Sequence, residues 1–202
     1  MYVLYTYPIS QHARRVVALL EEAGIEYQNR PIDLAIGEYM SPEYLAINPN
    51  HQVPTLVDGE VKIHESNAIL RYICTQHELA DWYPGDLKQF ALVEQWLDWN
   101  QCQLGPSVVD IVLNKVFLGE QGDKAAIARG EAGLPELLHI LDAGLEGRNF
   151  LAGENPTIAD LSVGSNITHL EFADMAPVQA RVSEWIKRVC SIEGFKKTLP
   201  QS

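Results

Sequence analysis

Two rhythms of apolar and polar positions run along this chain, and the change from one to the other divides it. Val3-Leu4-Tyr5 is a short apolar run closed by Tyr7-Pro8, the pattern of a strand. Ala13, Val16, Val17 and Leu20 follow at i, i+3, i+4 and i+7, which predicts an amphipathic helix over residues 11–23. Gly24 stops it. A second strand of weaker pattern is expected over 26–33. Ser41-Pro42-Glu43 starts a short helix, with serine as cap and proline at its first position. A hairpin over 55–63 turns at Asp58-Gly59, and Ile69, Tyr72 and Ile73 give a helix to about residue 77.

The order is therefore strand, helix, strand, helix, strand, strand, helix, and residues 1–78 read as an α/β unit. Asp81-Trp82-Tyr83-Pro84-Gly85-Asp86 breaks the periodicity, so residues 79–87 read as a linker. Beyond it the strand rhythm fades. Leu134, Leu137, Leu138, Leu141 and Leu145 repeat at helical spacing, as do Val182, Trp185, Ile186 and Val189. Residues 88–202 are expected to be all-helical, and the fold class is α/β plus all-α.

Charge and cysteine usage narrow the setting. A net charge of −12 argues against nucleic acid, whose backbone it would repel. An anionic ligand is not drawn in by that field either, so its site must supply local donors and positive charge. No apolar run is long enough to span a membrane, and no signal peptide is visible. Cys74, Cys102 and Cys190 lie far apart without a CxxC pair. A reducing cytoplasm is expected. His12, His51 and His64 lack metal-ligand spacing, so no metal is expected.

The candidate chemistry gathers at Gln52-Val53-Pro54-Thr55-Leu56 and Glu65-Ser66. A strand opening at proline and a helix starting after the returning strand lie on one sheet edge. Val53 can hydrogen-bond a peptide through its main chain, and the helix start offers N–H groups to a carboxylate. Ser10 stands just before the first helix, where the dipole favours an anion such as a thiolate. Each residue also has a purely structural explanation. Ser10 is a good N-cap, Pro54 a strand-edge proline, and Glu65-Ser66 ordinary first-turn residues. Of Arg14 and Arg15, one is expected to pair with a carboxylate and the other to be solvated. Thr157 and Asp160 form a capping box of structural purpose.

Taken together, the stretches Leu4 to Arg14, Gly37 to Tyr44, Asn48 to Pro54, Glu65 to Ile69 and the box at 157–160 resemble the cytosolic glutathione S-transferase family. The resemblance covers essentially the whole chain and is nearest to the serine-type theta and phi classes. It implies a thioredoxin-like domain followed by a helical bundle that contributes the electrophile site and dimer contacts. It also implies glutathione as cosubstrate, a small hydrophobic electrophile as partner, and a homodimer. Ser10 would donate a hydrogen bond to the glutathione sulfur, with Tyr7 as the alternative. Val53 would pair with the cysteinyl backbone, with Pro54 cis. Glu65 and Ser66 would hold the γ-glutamyl end, and Gln52, with Tyr39 or His51, would face the glycyl end.

Two departures accompany the resemblance. Theta and phi relatives commonly have histidine where Tyr39 stands, and lysine near 51–52, so the glycyl carboxylate meets fewer positive charges here. The acceptor would sit over Ser10, between the first domain and the long helix near residues 100–117, with Leu104, Val108 and Phe117 as lining residues. A glutathione-dependent peroxidase or disulfide reductase, and a non-enzymatic binding module, stay open as alternatives.

Overall fold

The computed structural model describes residues 1–34 and 36–200. They divide into two compact units, Met1–Leu79 with the segment from Ser191 onward, and Ala80–Cys190.

The first unit contains β1 (Tyr2–Thr6), α1 (Gln11–Glu22), β2 (Tyr27–Pro31), α2 (Pro42–Leu45), β3 (Thr55–Asp58), β4 (Val61–His64) and α3 (Ser66–Gln76). This is the order that the sequence predicts. The strands form one sheet in the order β2-β1-β3-β4. β1 runs parallel to β2 and antiparallel to β3, and β3 pairs antiparallel with β4. Central β1 alternates buried Tyr2, Leu4 and Thr6 with half-buried Val3 and Tyr5. Leu4 stands opposite Leu56, and both are fully buried. Each such leucine contributes about 2 kcal/mol of apolar burial.

α1 ends as predicted. Gly24 takes φ +63°, and the Ile25 N–H donates to the Leu20 carbonyl at 2.9 Å. Its buried face is wider than the apolar stripe, because Arg14 and Arg15 are both buried while Val17 is only half-buried. The expected solvated arginine is therefore absent from this pair. Arg14 lies under a second layer on α1 formed from the far end of the chain, and Arg15 meets the start of α3.

The second unit holds α4 (Leu87–Trp99), α5 (Gly105–Val112), α6 (Lys124–Gly144), α7 (Ile158–His169) and most of α8 (Ala180–Ser191). Leu134, Leu138 and Leu141 of α6, and Val182, Trp185 and Val189 of α8, are buried at the predicted spacing. Wide π turns at Asn100–Leu104 and Leu113–Phe117 flank α5. Pro106 has no N–H to give, and Gly105 donates instead to the Asn100 carbonyl five residues back. The buried Asn100 amide donates to Ser162 Oγ at 2.9 Å and accepts from Asn166 Nδ2 at 2.8 Å, tying this turn to α7.

The capping box forms, and it carries more than a cap. Asp160 is fully buried and accepts from the backbone N–H of Leu151 at 2.9 Å and of Thr157 at 2.8 Å. It also accepts from Thr157 Oγ1 at 3.1 Å and Trp185 Nε1 at 2.9 Å. Burial pushes its carboxyl above the ordinary range, and these donors oppose the shift. Among the described residues no helix is long and apolar enough to cross a membrane.

The short α9 (Glu193–Lys196) corrects the expected domain 88–202, because the segment from Ser191 groups with the first unit. Phe195 is fully buried, and the Arg14 guanidinium lies 5.9 Å from its ring centroid. Gly194 permits the close approach to α1, since a Cβ there would collide with the Ala18 carbonyl and the Glu22 nitrogen. The Gly194 N–H donates to Glu22 Oε2 at 2.7 Å, and Lys197 Nζ reaches Glu21 Oε2 at 2.8 Å.

Candidate active site

Thr55 organises one end of the sheet, standing opposite Tyr5 on one side and His64 on the other. Ser10 follows β1, Pro54 precedes β3, and Glu65 follows β4. The register therefore brings the three predicted segments to the same edge.

The turn after β1 is closed by the Ser10 N–H donating to the Tyr7 carbonyl at 2.9 Å. Ser10 is the N-cap of α1, its Oγ accepting from the Ala13 N–H at 3.3 Å. That bond uses an oxygen lone pair and leaves the hydroxyl proton for another acceptor. The structural and functional explanations of Ser10 are thus compatible in this geometry. Tyr7 is half-exposed in the same turn, whereas Tyr5 lies within β1 and packs its ring 5.6 Å from Tyr44.

The Val53–Pro54 peptide bond is cis. A buried clasp holds the segment before it. The Gln52 carbonyl accepts from the Tyr44 hydroxyl at 2.6 Å and from Asn48 Nδ2 at 2.8 Å. Both groups also meet Thr55 Oγ1, at 3.0 and 2.9 Å. Tyr44, Asn48 and Thr55 are each at most 2% exposed. Sequence reasoning placed all three in marked stretches but gave none of them this role. The available signal was Tyr44 and Asn48 four residues apart just before Pro49, which places two polar groups together.

At the third segment Glu65 adopts φ +69°, ψ 108°, a costly backbone region for a residue with a side chain. Its side chain is exposed, and Ser66 behind it is buried. α3 begins at Ser66, so its first turn points N–H groups that the helix does not use toward this edge. Arg15 Nη1 donates from beneath to Ser66 Oγ at 3.4 Å and Asn67 Oδ1 at 3.5 Å. Burial, and then the neighbouring Arg14, lower the Arg15 pKa to about 9. His51 and Gln52 are exposed, and the His51 ring lies 6.4 Å from that of half-buried Tyr39.

The three residues expected to line an electrophile site separate. Leu104 and Val108 are fully buried in the helical unit's core, so they support its packing and present no surface. Phe117 is 43% exposed and packs its ring 6.0 Å from His169 and 6.1 Å from Phe172. Helical spacing identified the apolar face but could not separate its core rows from its surface row. Among the described residues no group of His, Cys, Asp and Glu is placed to hold a metal ion.

The family comparisons agree with this architecture along most of the chain. The model of the glutathione S-transferase N-terminal domain matches residues 2–75, and that of the C-terminal domain matches residues 104–193. Glutathione S-transferase F10 of Arabidopsis thaliana is 33% identical over 205 residues, covering 94% of this chain and 93% of the relative. Glutathione S-transferase T1 of the same plant is 35% identical over 198 residues, covering 91% and 81%. The crystal structure of a theta class glutathione S-transferase from the citrus canker pathogen Xanthomonas axonopodis pv. citri, with glutathione bound, superposes with a TM-score of 0.90. It is 29% identical and covers 100% of this chain and 98% of its own. With both domain models matched in order, and relatives of similar length above 30% identity, the chain belongs to the glutathione S-transferase family.

Proposed function

We propose that this chain binds glutathione along the sheet edge, holds its sulfur as the thiolate, and transfers it to a small hydrophobic electrophile. The observation that carries this reading is the Ser10 cap. Its oxygen is occupied by the Ala13 N–H while its proton remains to be given. That proton, with the positive end of α1, stabilises a sulfur anion. A free thiol has a pKa near about 8.5, and each unit of lowering corresponds to about 1.4 kcal/mol of preference for the thiolate.

The remaining residues orient the peptide. Val53 pairs with the cysteinyl backbone beside Pro54. Glu65 accepts from the γ-glutamyl ammonium, and the Ser66 hydroxyl and first-turn N–H groups of α3 take the carboxylate. Tyr39, His51 and Gln52 face the glycyl end. In the reaction the thiol proton leaves to solvent and sulfur attacks an electrophilic carbon. The new C–S bond forms as halide departs with its electron pair, or as an activated double bond takes up a proton. Phe117, exposed beside Phe172, offers apolar ring surface on the helical unit. The working form is a cytoplasmic homodimer.

The test compares wild type, Ser10→Ala and Tyr7→Phe for glutathione binding by calorimetry and for conjugation of an aryl halide. The expected result is retained binding with lost conjugation in Ser10→Ala alone. Full activity in Ser10→Ala, or loss only in Tyr7→Phe, overturns the serine assignment.

A further inference from the structure

An acidic chain that binds an acidic peptide needs a local positive charge where the peptide is most negative, and one cation of α1 is well placed for this. Arg15 is fully buried and reaches the first residues of α3. We infer that Arg15 is a positioning residue for the γ-glutamyl carboxylate, acting through Ser66. This rests on the glutathione reading above and deepens it.

The argument follows the proton of Ser66. Its Oγ accepts from Arg15 Nη1 at 3.4 Å. A guanidinium only donates, so the Ser66 hydroxyl keeps its oxygen toward Arg15 and its own proton for a partner on the other side. A carboxylate is the acceptor that this polarity favours, and the buried charge behind the hydroxyl strengthens the bond. Asn67 Oδ1 accepts from the same nitrogen at 3.5 Å, so one guanidinium nitrogen bridges both side chains at the start of α3. Without the guanidinium, the Ser66 proton is free to turn inward to Asn67 Oδ1 and is lost to the ligand. Arg15 also lies on the helix that Ser10 caps. One helix therefore serves both the sulfur and, through Ser66, the carboxylate 
subsite.

The experiment measures calorimetric Kd values of two peptides, glutathione and 4-aminobutanoyl-cysteinylglycine, which lacks only the γ-glutamyl carboxylate. Arg15→Met is expected to weaken glutathione roughly ten- to hundredfold, the range of a charge-assisted hydrogen bond, and to leave the second peptide within about twofold. Arg15→Lys keeps the charge with less reach and is expected to lose about threefold, again on glutathione alone. It carries the test if the methionine variant does not fold. A purely structural arginine weakens both peptides alike, and that result, or no loss in either variant, overturns the inference. A wild type that does not bind glutathione overturns the parent reading and this inference with it.

Discussion

The Ala13 N–H donates to Ser10 Oγ at 3.3 Å, so one hydroxyl both caps α1 and keeps a proton to give away. The cap has its own measurable value. Ser10→Ala is expected to cost about 1 kcal/mol of stability, and Ser10→Thr, which retains cap and proton, a few tenths. Urea denaturation of the three proteins checks this. The stability loss is too small to unfold the chain, so any loss of conjugation in the alanine variant belongs to the site.

The clasp on the Gln52 carbonyl separates positioning from chemistry. Asn48→Ala removes a fully buried donor from both Gln52 and Thr55. About 2–3 kcal/mol of stability should go with it. Tyr44→Phe should cost about 1 kcal/mol, because Asn48 still serves the carbonyl. Calorimetry should show glutathione binding weakened in the order Asn48→Ala, then Tyr44→Phe. Unchanged binding in both folded variants would mean that the clasp does not set the Val53 main chain.

Asp160 gathers four donors around one buried carboxylate. Asp160→Ala strands them and is expected to cost about 3–5 kcal/mol. Asp160→Asn should cost less, since its oxygen still serves Trp185 and Leu151. Thermal denaturation ranks the two variants, and the reverse ranking would contradict the network.

Much of this architecture was legible, for reasons that individual residues make plain. The α/β order follows from punctuation at Pro8, Gly24, Ser41 and Asp58-Gly59, each with a local mechanism. Ser10, Pro54 and Glu65-Ser66 stood out because caps and prolines act on their own backbone. Arg15 was not legible in its role, because nothing local marks an arginine of α1 as the partner of Ser66 and Asn67 until α3 is packed against α1. The clasp joins Tyr44 to Thr55 across a turn whose path no periodicity encodes. Leu104 and Val108 failed for a related reason: the apolar row of a helix is the same whether it meets a core or a cleft.

The docking of the C-terminal segment on α1 has a predictable acid response. The hydrogen bond from Lys197, and then that from Tyr27, outweigh burial and hold the Glu21 carboxyl below its ordinary value of 4.5. A carboxyl depressed in the folded state contributes stability above its unfolded pKa and loses it as pH falls through the folded value. The difference in urea midpoint between wild type and Glu21→Gln should therefore be small but present at neutral pH and vanish on acidification below 4.5. A difference that grows on acidification has the wrong sign for this pair.

The most direct measurement is the ultraviolet absorbance of the bound glutathione thiolate as a function of pH, in wild type and Ser10→Ala. The wild-type complex is expected to titrate at least about one unit below the free thiol near 8.5, and the Ser10→Ala complex to return most of the way to that value. An equally depressed thiol in a folded, glutathione-bound Ser10→Ala protein would contradict the assignment of thiolate stabilisation to Ser10.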